Sequence, residues 1–384
     1  MVTELNIERK KRVRMRRIRR LVMLLLLCVL MIAAVYARPL LEGVSVSAFL
    51  QEAFGTVGRS GSFPVALVGE TASAVYNLGG SAAVLTDTRA AVFSPAGRPS
   101  ASVQNGFAEG VCKVSGSRAI LYGRGAKGIT LLGKGGELSS TKLDEIIVTA
   151  EVAANGRVAA ATPSSRHAAC VRVFDSAWNA LLTWYSAENQ VLSLALSPDA
   201  SRLAVGTVTA EDGALLSAVK LFSIADQEEI CEARLSETLV LALKYVAHGV
   251  QAVCDNQVVY LDETGKNTGS YSYGGKPLAA YSFTGSSTAL VLGEYKTERQ
   301  ESVVSLGKDG TVNFALVVHE QVRDVYTNAG FTYVLTDTAL TVYNQSGQEQ
   351  FAQPNERGWI AVAANGENLY LLLPHGVEKL TAAG

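Results

Sequence analysis

The residue types able to do chemistry are present, but their spacing excludes most of that chemistry. His167, His248, His319 and His375 lie far apart, with none of the H-x-E, H-E-x-x-H or H-x-H spacings that bring two ligands to one metal. They read as turn caps and surface positions, and no metal is expected. Cys112, Cys170, Cys231 and Cys254 stand in apolar company such as Val111-Cys112 and Val253-Cys254, and no two share a metal or redox spacing. Free cysteines of this kind behave as small buried hydrophobes. Gly123-Arg124-Gly125-Ala126-Lys127-Gly128 fits the G-x-G-x-x-G string, yet a second strand, Ile129-Thr130-Leu131-Leu132, follows where a helix N-terminus must receive the pyrophosphate. It reads as a hairpin turn. Ser139-Ser140-Thr141-Lys142 matches the S-x-x-K of serine acyl enzymes without S-D-N or K-T-G partners, and no G-x-S-x-G elbow occurs, which excludes an α/β-hydrolase. That tetrapeptide reads as a loop between repeats. The remaining surface candidate is aromatic: Tyr271, Tyr273, Lys276 and Tyr281, with Phe283, surround Gly274-Gly275-Lys276-Pro277. Tyrosines beside such a loop suit ligand or glycan contact, although packing between sheets explains the same alternation.

The elements that must carry these residues are short strands. From Phe63 onward the chain shows brief apolar runs broken by Gly, Asn, Asp and Ser, with no helical period. Val84-Leu85-Thr86-Asp87-Thr88 running into Val92 to Gly97 returns as Val334-Leu335-Thr336-Asp337-Thr338 running into Val342 to Gly347. Hairpin marks of this kind recur at Leu131 to Gly136, Val173 to Asn179, Leu221 to Gln227, Val259 to Gly265 and Val304 to Gly310. Their spacing of roughly 40 residues is that of a four-stranded propeller blade. The last unit, Trp359 to Leu380, holds only three strands, and Phe63-Pro64-Val65-Ala66-Leu67-Val68-Gly69 stands alone where it could supply the fourth. The expectation is an all-β propeller over 63–384 with eight blades, seven being the alternative.

The amino-terminal segment differs. Residues 1–20 carry nine Lys or Arg against Glu4 and Glu8 in a chain of net charge −1, so the remainder is acidic. Leu21 to Ala37 is uncharged and about 17 residues long, the lower limit for a membrane-spanning helix. The cations before it predict a cytoplasmic amino terminus, and an uncleaved anchor in the lipid bilayer fits the apolar length better than a cleaved signal peptide. Val46, Phe49, Leu50, Ala53 and Phe54 predict a short amphipathic helix within 38–62.

The basic tail, single anchor, Gly61-Ser62-Phe63-Pro64 entry and Leu85-Thr86-Asp87-Thr88 strand together resemble a family, of unknown function, of single-pass membrane propellers in Gram-positive bacteria. That resemblance implies topology and architecture and brings no catalytic residues. Leu196-Ser197-Pro198-Asp199 is similar to the inner hairpin of WD-type propellers, without their Gly-His and Trp-Asp marks. Val259 to Lys266, and Val173-Phe174-Asp175 with Trp184, resemble turns of quinoprotein dehydrogenase and outer-membrane assembly propellers; the vicinal cysteines and Trp-rich platform of a quinoprotein site are missing. The expected function is a membrane-tethered, extracytoplasmic, non-catalytic module that binds a protein or cell-envelope partner, with no cofactor and no nucleic acid. The alternative is a propeller enzyme, either a quinoprotein-like oxidoreductase or a glycan-active lyase or hydrolase, with acids paired around the axis.

Overall fold

The computed structural model describes residues 61–211, 213–283, 287–293, 300–366 and 368–381. The basic tail, the anchor at Leu21 to Ala37 and the amphipathic segment lie outside them; among the described residues no helix is long and apolar enough to cross a membrane.

The described strands form eight four-stranded antiparallel sheets. Seven sheets take four consecutive strands each, within 72–104, 110–142, 149–186, 190–236, 240–272, 278–318 and 322–354. The eighth takes Ala361–Asn365, Asn368–Leu373 and Gly376–Thr381, and its outer strand is the early segment Val65–Ala66. First strands of neighbouring sheets touch, so each sheet is a blade with its first strand innermost. The domain is an eight-bladed propeller, with blades 1 to 8 counted from residue 72.

Its core is divided rather than central. The buried apolar residues form eight clusters, each shared by two adjacent blades, such as Ala204, Val219 and Leu221 of blade 4 against Val240, Leu243 and Val250 of blade 5. This follows from strand geometry, because alternate side chains leave opposite faces and both faces of a blade meet a neighbour. Strands buried on both sides therefore read as continuous apolar runs, as in Val158-Ala159-Ala160-Ala161. Small side chains there let the blades approach closely.

The recurring marks are hairpins between the third and fourth strands. In blades 1 to 7 each contains a register shift near the turn. A left-handed residue follows, supplied by Gly97, Gly136, Gly265, Gly310 and Gly347 in five of them. Blade 3 departs from the expectation that Asn179 takes this place: Trp178 does, at φ 67°. Asp175 Oδ1 accepts from the amides of Ala177 and Asn179, both at 2.9 Å, and the Trp178 ring packs edge-on to Phe174 at 5.9 Å, which holds the strained residue. In blade 4 the residue is Gln227.

The repeated Leu-Thr-Asp-Thr string is a turn device. Thr86 Oγ1 accepts from the Arg89 amide at 2.9 Å and donates to its carbonyl at 3.0 Å; Thr336 treats Ala339 in the same way, at 3.1 Å each. Asn105 and Asn355 then donate to the Thr86 and Thr336 carbonyls, both at 3.0 Å. Ser139 to Lys142 corrects another expectation, since it lies in Gly136–Lys142, the outer strand of blade 2, and not in a loop between blades. Ser139 Oγ donates to the Ser176 carbonyl at 2.9 Å, so its hydroxyl joins two blades. Gly123 to Gly128 is the expected hairpin turn between two strands.

Candidate functional site

Two concavities follow from this architecture, the ring axis and a cleft among hairpin tips. The innermost described strands carry only two acids, Glu151 in blade 3 and Asp324 in blade 7, four blades apart and so on opposite sides of the ring. Glu151 lies 3.7 Å from the ammonium of Lys113 in blade 2, and burial raises its pKa. Asp324 accepts from the Val325 amide at 2.9 Å and from the Val362 amide of blade 8 at 2.8 Å. Burial nonetheless outweighs these bonds and pushes its carboxyl up to about 6. A carboxyl raised in this way binds its proton more tightly when folded. Its contribution to stability is complete below pH ~4, the unfolded pKa, and is lost as pH rises through about 6. Urea denaturation should therefore show the wild type losing ground to D324N between pH 4 and pH 7. A constant difference between the two would refute the raised pKa.

The cleft, about 480 Å³, opens where hairpins of blades 4, 5 and 6 meet on one face. In blade 4, Pro198-Asp199 sets a tight turn in which Asp199 Oδ1 accepts from Ser197 Oγ at 2.6 Å and from the Ser201 amide at 3.1 Å. These bonds hold the Asp199 carboxyl down at about 2. Its pair with Glu263 of blade 5, at 3.0 Å, ties Arg202 across the blade boundary. Glu263 sits in the hairpin whose Asp262 Oδ1 accepts from the amides of Thr264 at 2.8 Å and Lys266 at 3.0 Å. Gly249 closes the inner hairpin of blade 5 at φ 148°, where a Cβ would stand 1.9 Å from the Leu261 carbonyl oxygen. Only glycine fits that approach. Below, Gln251 Nε2 donates to Thr288 Oγ1 at 2.6 Å and to Tyr260 Oη at 2.9 Å, and Tyr260 donates to the Gly307 carbonyl at 3.0 Å. This chain joins blade 5 to blade 6.

Lys244 and Tyr245, at the end of strand Val240–Val246, also line the cleft, and Lys308 stands at the tip of a blade 6 hairpin. The pattern reading missed all three. A signal existed: Lys244 interrupts Val-Leu-Ala-Leu in an innermost strand whose counterparts are mostly small and apolar.

The expected surface candidates are only partly together. Tyr273 is 3% exposed and donates its hydroxyl to the Cys254 carbonyl at 3.0 Å, packing with half-buried Tyr271 in the blade 5–6 core. For Tyr273 the packing alternative is the one that fits. Lys276 donates to Ser302 Oγ at 2.9 Å, while Tyr281 is exposed on the innermost strand of blade 6 and stacks on Phe283 at 5.5 Å. Cys112, Cys170, Cys231 and Cys254 sit on strands of blades 2 to 5 as free thiols, and burial pushes Cys112 and Cys254 up to about 12. Among the described residues no three His, Cys, Asp or Glu side chains gather as metal ligands.

Several solved structures share the fold at low sequence identity. BamB from Moraxella catarrhalis matches at 14% identity and a TM-score of 0.52, covering 82% of this chain and 98% of its own. The computationally designed Ika8 protein gives 13% and 0.59 over 83% and 98%. The C-terminal WD40 domain of Sif2 gives 10% and 0.57 over 85% and 100%. No curated protein matches by sequence. Residues 67–380, nearly the whole propeller, match the model of a family of unknown function, DUF5711, and the chain belongs to that family.

Proposed function

We propose that the protein is a non-catalytic binding or scaffolding module held at the cell membrane. A helix at Leu21 to Ala37 is the tether, with the basic amino terminus in the cytoplasm, the propeller outside, and a protein or cell-envelope partner on the hairpin face that bears the cleft. The observation that carries this reading is how the acids around the two concavities are used. Asp199 serves its own turn, Glu263 holds Arg202, Glu151 faces Lys113, and Asp324 accepts from two backbone amides. Acid–base chemistry on a sugar needs two carboxyls flanking one bond, whereas these four are distributed among separate structural partners. A concave surface ringed by hairpin tips from three blades suits recognition. Support for the tether is the uncharged run of about 17 residues directly after a cluster of cations. Tyr271, Lys276 and Tyr281, around the Gly274-Gly275 loop between blades 5 and 6, supply a second contact surface in this reading.

The test uses the full-length chain in cells, with a photo-activatable cross-linking side chain at Ala247 on the cleft rim or at Arg124 in a turn at the opposite end of its blade. One reproducible adduct from position 247 but not from position 124 is expected, and the chain should remain in the membrane fraction through alkaline extraction. Equal labelling from both positions, or none, would overturn the assignment of the binding face. Release by alkali would overturn the tether.

A further inference from the structure

The face opposite the cleft carries an apolar patch of its own. Strand Val240–Val246 ends at the cleft with Lys244 and Tyr245, so Leu241, near its start, stands at the other face. Leu241 is the extra residue at a register shift between Val240 and Ala242, and Leu192 of blade 4 is the extra residue between Val191 and Ser193. A residue left out of the ladder in this way has its side chain re-aimed, here into solvent. Blades 1, 6 and 7 place Ser73, Ala279 and Arg323 at the same shift, small or charged residues where blades 4 and 5 have leucine. Ser193 Oγ donates to the Val240 carbonyl at 3.4 Å, which draws the two leucines together. Val148, exposed just before the first strand of blade 3, continues the row.

A wall rises beside this row. The middle strands of blade 4, Arg202–Glu211 and Ala214–Ser223, hold ten residues each, whereas the corresponding strands of the other blades hold five or six described residues. The added length lies away from the cleft, because Arg202 lines the cleft and the Glu211–Ala214 pair closes the hairpin at the far end. The Glu237 amide donates to the Leu215 carbonyl at 3.1 Å and Ser217 Oγ to the Thr238 carbonyl at 2.7 Å. These bonds fix the hairpin to the segment that enters blade 5, with the Leu215 side chain exposed. One exposed leucine needs no explanation, but a row of aliphatic side chains beside an added wall does, and insertions in repeat folds gather on a binding face.

We infer that this corner docks a cationic amphipathic helix of a partner protein, with the aliphatic stripe of the helix on Leu192, Leu241 and Leu215 and its Lys or Arg side chains toward the rim. Charge selects that occupant. The connecting segments at this end of blades 4 and 5, namely 187–189, 211–213, 237–239 and 255–256, carry exposed Glu188, Glu211, Glu237 and Asp255, and none of their described residues is Lys or Arg. Two copies meeting here would set acid against acid, and anionic lipid head groups would meet the same repulsion. A single apolar stripe flanked by cations fits a row on one side and a wall on the other. Docking here requires neither the cleft nor the tether, and the control position Arg124 lies on blade 2, outside the patch.

The test uses the full-length chain in phosphatidylcholine nanodiscs and a fluorescein-labelled helical peptide whose leucine stripe is flanked by lysines. Its anisotropy is compared with that of a counterpart carrying glutamates in place of the lysines. The lysine peptide should bind at least about tenfold tighter, and added salt should weaken it. L192S/L241S and, separately, L215S alter only exposed side chains, so the ring should melt as the wild type does while each variant binds about fivefold or more weakly. E188K/E211K should remove most of the preference for lysine. Equal binding of the two peptides, no binding of either, or wild-type binding by the leucine variants would overturn the inference. A dimer in amphipol that L192S/L241S dissociates would overturn it in favour of a second copy. A bimane label at L215C that is already blue-shifted in nanodiscs relative to amphipol, before peptide is added, would overturn it in favour of lipid.

Discussion

W359A is expected to be among the most damaging single substitutions in the propeller, lowering stability by about 3–5 kcal/mol in urea denaturation. Trp359 is 3% exposed and fills the interface between blades 7 and 8, against Tyr333, Leu335 and Leu340 on one side and Val362, Leu369 and Leu371 on the other. Truncation removes that apolar surface from a site whose backbone is already pinned. Trp359 N donates to Asn355 Oδ1 at 2.6 Å, and Asn355 Nδ2 donates back to the Trp359 carbonyl at 3.1 Å, so the cavity has little freedom to collapse. A second loss is electrostatic. Trp359 Nε1 donates at 3.1 Å to Glu378, a 7% exposed carboxylate whose other partner is Arg357. W359F retains most of the volume but leaves Glu378 with Arg357 alone, so it should cost about 1–3 kcal/mol. Equal effects of the two variants would show that packing contributes little here; a W359A effect below about 1 kcal/mol would remove Trp359 from the core altogether.

L67A should open the ring. Leu67 is 1% exposed and lies between Ala72, Val84 and Phe93 of blade 1 and Tyr370, Leu372 and Val377 of blade 8. Its amide donates to the His375 carbonyl at 2.9 Å, directly after the two-residue strand that pairs Val65 with Val377 and Ala66 with Gly376. The side chain thus joins the earliest described strand to the last one. Loss of about 2–5 kcal/mol is expected, accompanied by faster amide exchange in Gly376–Thr381 before the other blades exchange. The neighbouring Val68 is 88% exposed, and its replacement by serine should stay within about 0.5 kcal/mol. Uniform exchange throughout the ring in L67A would mean that closure is not a separate cooperative step. The seam has other ties, because Tyr370 donates to the Gly80 carbonyl at 2.5 Å and Asn77 of blade 1 donates to the Ala364 carbonyl of blade 8 at 3.0 Å. One substitution should therefore loosen the closure without unfolding every blade.

Closure was legible in advance for a simple reason. A three-strand unit at the end and an orphan strand at the beginning each leave an exposed edge, and a ring removes both. The hairpin marks were legible because left-handed backbone selects glycine so strongly that five of seven marks carry it. They failed where another interaction did that work: Asp175 and Phe174 hold Trp178 in a conformation usually reserved for glycine or asparagine. Tyr273 illustrates a different ambiguity, since outer-strand alternation is the same for a tyrosine whose ring meets the next blade and for one that meets solvent.

The order of amino acids by itself determined the strand content, the repeat, the division into blades and the turn chemistry, because each depends on contacts within about ten residues or on backbone preferences of single residues. The count of eight, the buried place of Tyr273 and the cleft were decided by tertiary structure. Lys244, Tyr245, Arg202 and Lys308 come from three blades, and the burial of the Tyr245 hydroxyl and of the Lys244 amine exists only once those blades are packed side by side. Burial and charge proximity are properties of the closed ring, and no periodicity along the chain encodes which side chains will share a cavity.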